Sequence, residues 1–331
     1  MTNALKSRWF AVARSADLRR KPKRVIVEGR PVALFRNGSG TIVAVLDFCP
    51  HRSARLSEGR VVGESIQCPY HGWMFDSSGR CILIPGLLGP PPRLMTPSFA
   101  TAEADGLIFV SLGIPIEAPY TGVLNGSSVI RTVLESNVEA PLAEVAENIL
   151  DATHTHFTHK GLLRGLSNKR NRVTVTVTGG DDWVEARYEG EPRQEGLVSR
   201  LLEGERSVSV GRFKLPGIAE LEFWGSDRIN LATTFHLREV GAGKVAGLGV
   251  LAGHRQHGIG HLKALFLKPL FKVALRQDQR ILESSSRNRV ETGRELLTTG
   301  PLDIMRPHID ALLAGRRPLV ADRPETIMME L

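Results

Sequence analysis

Short runs of β-branched and other apolar residues dominate the first third of the chain. Arg24–Gly29, Pro31–Arg36 and Thr41–Leu46 read as strands. Asn37-Gly38-Ser39-Gly40, between the last two, has the residue types of a hairpin turn. Gly106–Leu112 predicts another strand, and Gly79–Ile84, which contains Cys81, a further short one. Pro115, Pro119 and Gly122 then punctuate the chain. The pattern predicts a small all-β domain over residues 1–115 and a second domain over 116–331.

Past that boundary the period changes. Asn137–Thr153 sets Val138, Leu142, Val145, Ile149 and Leu150 near helical spacing, with Glu139, Glu144 and Glu147 between them, and so predicts a helix. Strand-like runs follow at Arg172–Thr178, Trp183–Tyr188, Ala219–Trp224 and Arg228–Val240. The first alternates with period two, as a half-exposed antiparallel strand does. Leu262–Leu297 reads as helix-rich, broken at Pro269. Strands flanked by helices predict an α+β domain, an antiparallel sheet gripped by helices on one face. Gly253–Gly260 reads as a flexible loop that covers a pocket. Phe223, Trp224 and Phe235 fit two descriptions, pocket wall or plain core.

Composition supports two packed cores. The chain has 331 residues, of which 42% are hydrophobic, outside the range of disordered sequences. It shows no internal repeat and no low-complexity tract. Met1–Asp17 contains Lys6, Arg8 and Arg14 but no apolar stretch of the secretory kind. No run reaches membrane-spanning length; the nearest, His261–Arg276, is interrupted by Lys263, Lys268, Pro269 and Lys272. With three cysteines, Cys49, Cys68 and Cys81, a disulfide framework is not expected, and a reducing cytoplasm is. Cys81 reads as a lone structural thiol.

The net charge of +8 is uneven. Residues 1–120 hold 15 Lys/Arg against 9 Asp/Glu, and residues 121–331 hold 28 against 26. The densest cluster is Arg19-Arg20-Lys21-Pro22-Lys23-Arg24. It lacks the aromatic interleaving or motif of a nucleic-acid site. It reads as a solvated face, or as a docking face for an acidic electron-transfer partner.

The chemistry begins at Cys49-Pro50-His51 and Cys68-Pro69-Tyr70-His71. Each loop supplies one thiolate and one imidazole. A [2Fe–2S] cluster of the Rieske kind takes two Cys on one iron and two His on the other. Zinc sites with the same residue types use C-x(2–4)-C and H-x(3–5)-H pairings, so the mixed loops point to the cluster. A second candidate is Asp151, His154, His156 and His159, all within nine residues. A mononuclear iron that activates dioxygen takes two His and one carboxylate and keeps open positions. On an ideal helix His156 and His159 lie roughly 60° apart, and His154 and His159 roughly 140°. Helix geometry alone therefore favours His156 with His159.

The run Cys49-Pro50-His51-Arg52 … Cys68-Pro69-Tyr70-His71-Gly72-Trp73 resembles the Rieske non-haem iron oxygenases. Rieske subunits of respiratory complexes carry a further cysteine pair in these loops, which Cys81 cannot supply. The resemblance extends to Asn148-x-x-Asp151-x-x-His154-x(4)-His159 and implies His154 and His159 as the iron ligands. The helix must then end or distort between them, and His156 becomes a packing residue. It also implies that Asp151 bridges the cluster of one subunit and the iron of the next in a head-to-tail homotrimer, with Asn148 near the iron. Leu275–Ser284 is similar to the late segment that gives the family its carboxylate ligand. Asp278 is the candidate and Glu283 its rival. His236, His254, His257, His261 and His308 read as structural or exposed.

The activity implied is that of a terminal oxygenase component. Electrons from a separate reductase, directly or through a ferredoxin, reach the Rieske cluster, pass Asp151 and reduce dioxygen at Fe(II). One oxygen atom enters a C–H bond of a cyclic or aromatic small molecule, or a methyl group leaves as formaldehyde. NAD(P)H serves only through the reductase, since the chain has no G-x-G-x-x-G fingerprint after a strand. The short chain favours monooxygenation over a dihydroxylating dioxygenase. A non-enzymatic electron carrier would leave the second constellation without a task.

Overall fold

A computed structural model describes residues 7–126, 128–164, 170–190, 207–255, 259–293 and 298–331. The chain divides into two compact units after Tyr120, shortly beyond the boundary expected near residue 115.

The first unit is built of strands β1 (Phe10–Arg14), β2 (Lys23–Val27), β3 (Arg30–Arg36), β4 (Ile42–Leu46), β5 (Arg60–Val62), β6 (Ser65–Gln67), β7 (Met74–Phe75), β8 (Cys81–Leu83), β9 (Ser98–Ala104) and β10 (Leu107–Ser111). They form a six-stranded sheet in the order β1-β10-β9-β4-β3-β2 and a four-stranded sheet β5-β6-β7-β8. The β3–β4 hairpin closes where expected: Asn37 Oδ1 accepts from Thr41 N at 2.7 Å, and Gly40 takes φ +87°. One apolar cluster centres on Val12, Leu18, Val27, Leu34 and Ile108. Another holds Phe35, Leu56, Ile66 and Phe75 together with all three cysteines. Burying these chains is the main favourable term in folding.

The second unit has strands β11 (Val129–Val138), β12 (Arg172–Gly179), β13 (Trp183–Glu189), β14 (Val208–Lys214), β15 (Ile218–Trp224), β16 (Ile229–Gly241), β17 (Lys244–His254) and β18 (Glu325–Glu330). All pair antiparallel in the order β11-β17-β16-β15-β14-β13-β12-β18. Its helices are α1 (Leu142–Leu150), α2 (Thr155–Thr158), α3 (Ile259–Glu291) and α4 (Arg306–Leu313). The class is the expected α+β. Helix α1 buries Leu142, Val145, Ala146 and Leu150, one face at helical spacing. That face joins Phe213, Ala219 and Phe235 of the sheet and Ile309 and Leu312 of α4 in one core. Arg289 of α3 pairs with Glu144, and Arg306 of α4 with Glu147 at 2.7 Å.

Three expectations are corrected. The helix expected over Asn137–Thr153 starts at Leu142, after Pro141 at its N-cap; Asn137 and Val138 end β11. Pro269 lies inside α3 without breaking it, because proline removes one ladder hydrogen bond and tertiary packing can hold a helix through that loss. Gly253 and His254 end β17, and α3 starts at Ile259, so the expected covering loop is reduced to the segment between them; residues 256–258 lie outside the described residues.

Candidate metal centres

The first centre rests on two loops that close in the same way. Cys49 N donates to Ala54 O at 2.9 Å, and Cys68 N to Trp73 O at 2.8 Å. The carbonyl of each cysteine accepts from the residue four further on, Ser53 N at 2.9 Å and Gly72 N at 3.2 Å. Those two residues turn the chain with φ +59° and +73°, a conformation a glycine adopts without strain. Gly72 also brings the second loop against Pro85, which a Cβ would meet at 3.1 Å. The first loop is tied down by buried Asp47, which accepts from Arg24 at 2.6 Å and from Ser57 N and Oγ at 2.8 and 2.7 Å.

This framework buries both cysteines and leaves both imidazoles nearer the surface. The Cys49 thiol is pushed up to about 11, first by burial and then by the neighbouring Cys68. The His51 and His71 rings lie 4.5 Å apart, and His51 stacks on Trp73 at 4.5 Å with the planes 3° apart. Loss of hydration, His71 and Arg52 all lower the His51 pKa. His51 Nδ1 is buried without a hydrogen-bond partner, a lone pair aimed into the protein. Two buried sulfurs and inward-facing imidazole nitrogen fit a cluster with thiolates on one iron and imidazoles on the other. Cys81, also buried, has its Sγ 3.7 Å from Leu83 O, in the same apolar cluster.

The second centre forms where α1 stops. Asp151, at its C-cap, is extended (φ −75°, ψ 118°). His154 precedes the single turn α2, and His159 follows it. The break undoes ideal helix geometry and brings the His154 and His159 rings to 5.2 Å, edge to face. His154, His159 and Asp278 each offer a ligand atom, all within 4.8 Å of one another. His159 Nε2 lies 2.9 Å and His154 Nε2 3.5 Å from Asp278 Oδ1. That oxygen is buried, yet makes no hydrogen bond of acceptable geometry. Two nitrogens and an oxygen crowd one point without bonding directions between them, an arrangement that fits a shared cation and the 2-His-1-carboxylate set.

Each imidazole is held from behind. His154 Nδ1 lies 3.2 Å from Asp151 Oδ2, and His159 Nδ1 lies 2.9 Å from Gln277 Oε1. With both Nδ1–H groups donating, both Nε2 atoms are turned toward Asp278. Thr153 N and Oγ1 donate to Asp151 Oδ1, both at 2.7 Å. Burial alone would raise the Asp151 and Asp278 carboxyls, but His154 and Thr153 hold Asp151 below the ordinary range, and the imidazoles of His154 and His159 do so for Asp278. Burial would lower His154, but Asp151 and Asp278 outweigh it and lift the imidazole to about 9. Arg164, buried, donates from Nε to Thr155 Oγ1 at 2.7 Å and reaches Ala152 O at 3.4 Å, so it clamps the break.

The other candidates fall elsewhere. Glu283 accepts from Gln279 Nε2 at 2.8 Å and from Glu139 N, and it is outside the group formed by His154, His159 and Asp278. Asn148 lies one turn before Asp151, half-buried, with no side-chain hydrogen bond among the described residues. His156 is outside the three-ligand group. His236 is fully buried and lowered to about 4 by burial, His254 Nε2 lies 3.0 Å from Ile229 O, and His308 is buried in α4. His257 and the side chain of His261 lie outside the described residues. Gln277, Arg164 and Thr153 were not singled out in the sequence, although Thr153 adjoins His154 and Gln277 adjoins Asp278.

An apolar wall adjoins this centre. Leu162 and Leu163, whose N–H groups both donate to His159 O at 3.0 Å, pack with Phe223, Leu231 and Leu251 of the sheet and Leu270 and Phe271 of α3. Phe235 stacks on Phe271 at 6.3 Å from within the main core. Trp224 points elsewhere, with Nε1 2.8 Å from Glu222 Oε2. Glu222 also pairs with Arg212 at 2.8 Å. Asp151 also lines a small cleft with Glu147, Tyr188, Asp303 and Met305, a cleft whose lining does not include His154, His159 or Asp278.

Residues 8–94 match the Rieske [2Fe-2S] domain. Over 232 residues the chain is 27% identical to the oxygenase component of dicamba O-demethylase from Stenotrophomonas maltophilia, a match covering 68% of this chain and 65% of that protein. It is 42% identical over 168 residues to the oxygenase component of chloroacetanilide N-alkylformylase from Rhizorhabdus wittichii, covering 48% of each. The matches thus span roughly half to two thirds of these relatives' length. Among solved structures, dicamba monooxygenase bound to 3,6-dichlorosalicylic acid superposes with a TM-score of 0.79 at 20% identity, over 94% of this chain and 96% of that one. NdmA of Pseudomonas putida CBB5 with caffeine gives 0.77 at 21% identity, over 94% and 90%.

Proposed function

This chain carries a Rieske domain, has oxygenase components as relatives and shares the fold of the Rieske monooxygenases, and we propose that it is itself the terminal oxygenase component of such a system. The observation that carries the proposal is the convergence of His154, His159 and Asp278 in a chain that also holds the two Cys/His loops. Cys49 and Cys68 hold one iron of the [2Fe–2S] cluster, and His51 and His71 the other. His154, His159 and Asp278 hold a mononuclear Fe(II). When bound, these groups supply electron storage and dioxygen activation.

The chain's own residues do the rest. Asp151 orients His154 and also lines a small cleft with Glu147 and Asp303. That position suits a carboxylate contacted by a cluster-bound imidazole of another subunit, in a head-to-tail homotrimer. Exposed Tyr70, Leu87 and Leu88 near the cluster loops support a docking end there. Asn148 stands one turn from Asp151 on the same helix. The apolar wall of Leu162, Phe223, Leu231, Leu251 and Phe271 excludes water and selects an uncharged, largely apolar ring. Such a substrate is hydroxylated, or demethylated when the attacked carbon is bonded to oxygen or nitrogen. Electrons come from a separate reductase, directly or through a ferredoxin, with NAD(P)H consumed there, in the cytoplasm.

Iron content and dioxygen uptake test the reading. Purified protein should hold about three Fe per chain and consume dioxygen in step with product when supplied with a surrogate reductase. Two Fe per chain would reduce it to an electron carrier. Three Fe without coupled uptake would mark an inactive relative.

A further inference from the structure

We propose that Gln277 is a positioning residue of the mononuclear site: its side-chain oxygen fixes His159 in the tautomer that leaves Nε2, the nitrogen facing Asp278, free to bind a metal. The proposal rests on His154, His159 and Asp278 being that site. His159 is 1% exposed, so water cannot satisfy its ring from the solvent side. Its Nδ1 meets Gln277 Oε1 at 2.9 Å, and its Nε2 meets Asp278 Oδ1 at 2.9 Å. Gln277 and Asp278 are adjacent on α3, so one turn of helix holds the ring at both nitrogens.

The amide's orientation and the ring's tautomer are one choice. With Oε1 toward the ring, Nδ1–H donates and Nε2 keeps its lone pair for a cation. With the amide reversed, its NH₂ donates to Nδ1, the proton moves to Nε2, and Nε2–H points at Asp278 in place of a metal. Only the first arrangement gives three donors at one point. An ionised carboxylate accepts and has no proton to donate, so it would enforce that arrangement. The two imidazoles also differ in what backs them: His154 has the anionic Asp151, His159 a neutral amide. Such partners fix ring orientation and ligand basicity.

Fe(II) binding tests this without turnover. Protein that keeps its [2Fe–2S] absorption but has been freed of mononuclear iron with a chelator is titrated anaerobically with Fe(II). Gln277→Leu should bind about ten- to hundredfold more weakly than the parent, with the cluster spectrum unchanged. Gln277→Asn, whose amide is too short to reach, should weaken in the same way. Gln277→Glu should restore parental affinity or exceed it. Parental affinity in Gln277→Leu, or weakness in Gln277→Glu equal to that of Gln277→Leu, overturns the inference. Failure of the parent protein to bind Fe(II) would instead overturn the site reading on which it rests.

Discussion

Asp151 divides its carboxylate between backbone and imidazole: Oδ1 takes Thr153 N and Oγ1 at 2.7 Å, and Oδ2 lies 3.2 Å from His154 Nδ1. The contact that orients the ring therefore also sets its charge. In metal-free protein His154 is lifted from 6.5 to about 9. A raised folded pKa means stabilisation that is fully present below pH 6.5 and lost as pH rises through about 9. Urea midpoints of chelator-treated protein should fall across that window. Asp151→Asn removes the anion and should flatten the fall. An unchanged slope in Asp151→Asn would assign the shift to Asp278 alone. Because metal must displace this proton, Fe(II) affinity should also weaken as pH drops below about 9.

The two nearby histidines separate cleanly. His154 is in the three-ligand group and His156 is not. His154→Ala should reduce iron from about three to about two per chain with the Rieske absorption intact. His156→Ala should keep all three. Retention of the third iron in His154→Ala would shift the assignment to His156.

The cluster loops were legible because their four residues are local, and spacing alone separates them from zinc ligands. The second centre was legible only in part. Helical periodicity carries no sign that α1 stops at Leu150, and on an unbroken helix His156 would have won. The stop comes from Asp151, whose carboxylate bonds Thr153 N and His154 N in place of the helical ladder, a competition open to any Asp. Strand β17, Lys244–His254, was not among the expected strands, and its last two residues fell in the Gly253–Gly260 stretch read as loop; its glycines dilute the β-branched pattern that marks a strand. At Gly249 the absent side chain makes room for Phe235, whose ring a Cβ would meet at 2.8 Å. Gln277 left no pattern at all, since its role exists only once α3 lies beside His159.

Asp47 should prove to be the anchor of the first loop. It is buried and takes three hydrogen bonds, from Arg24 and from Ser57 N and Oγ. Asp47→Ala leaves those donors without an acceptor, a loss of about 1–3 kcal/mol. Thermal denaturation followed at the Rieske absorption should show the cluster released at lower temperature. An unshifted transition would mean that Cys49 is held by its own loop bonds alone.

The basic cluster yields a sharper test than its sequence suggested. Arg19, Arg20 and Lys21 are exposed, whereas Arg24 is committed to Asp47 at 2.6 Å. Reversing Arg24 would damage the loop base and confuse docking with folding. Reversal of Arg19, Arg20 and Lys21 to Glu leaves that pair intact. If an acidic reductase or ferredoxin docks on this face, electron transfer to the cluster should slow in the triple variant. In the parent it should slow as ionic strength rises, because exposed charges are screened beyond about 10 Å at 0.1 M salt. The variant should lose most of that salt dependence along with the rate, since the same charges produce both. Stopped-flow reduction of the Rieske absorption measures each. A variant reduced at the parental rate with the parental salt slope would move the docking face elsewhere on the protein.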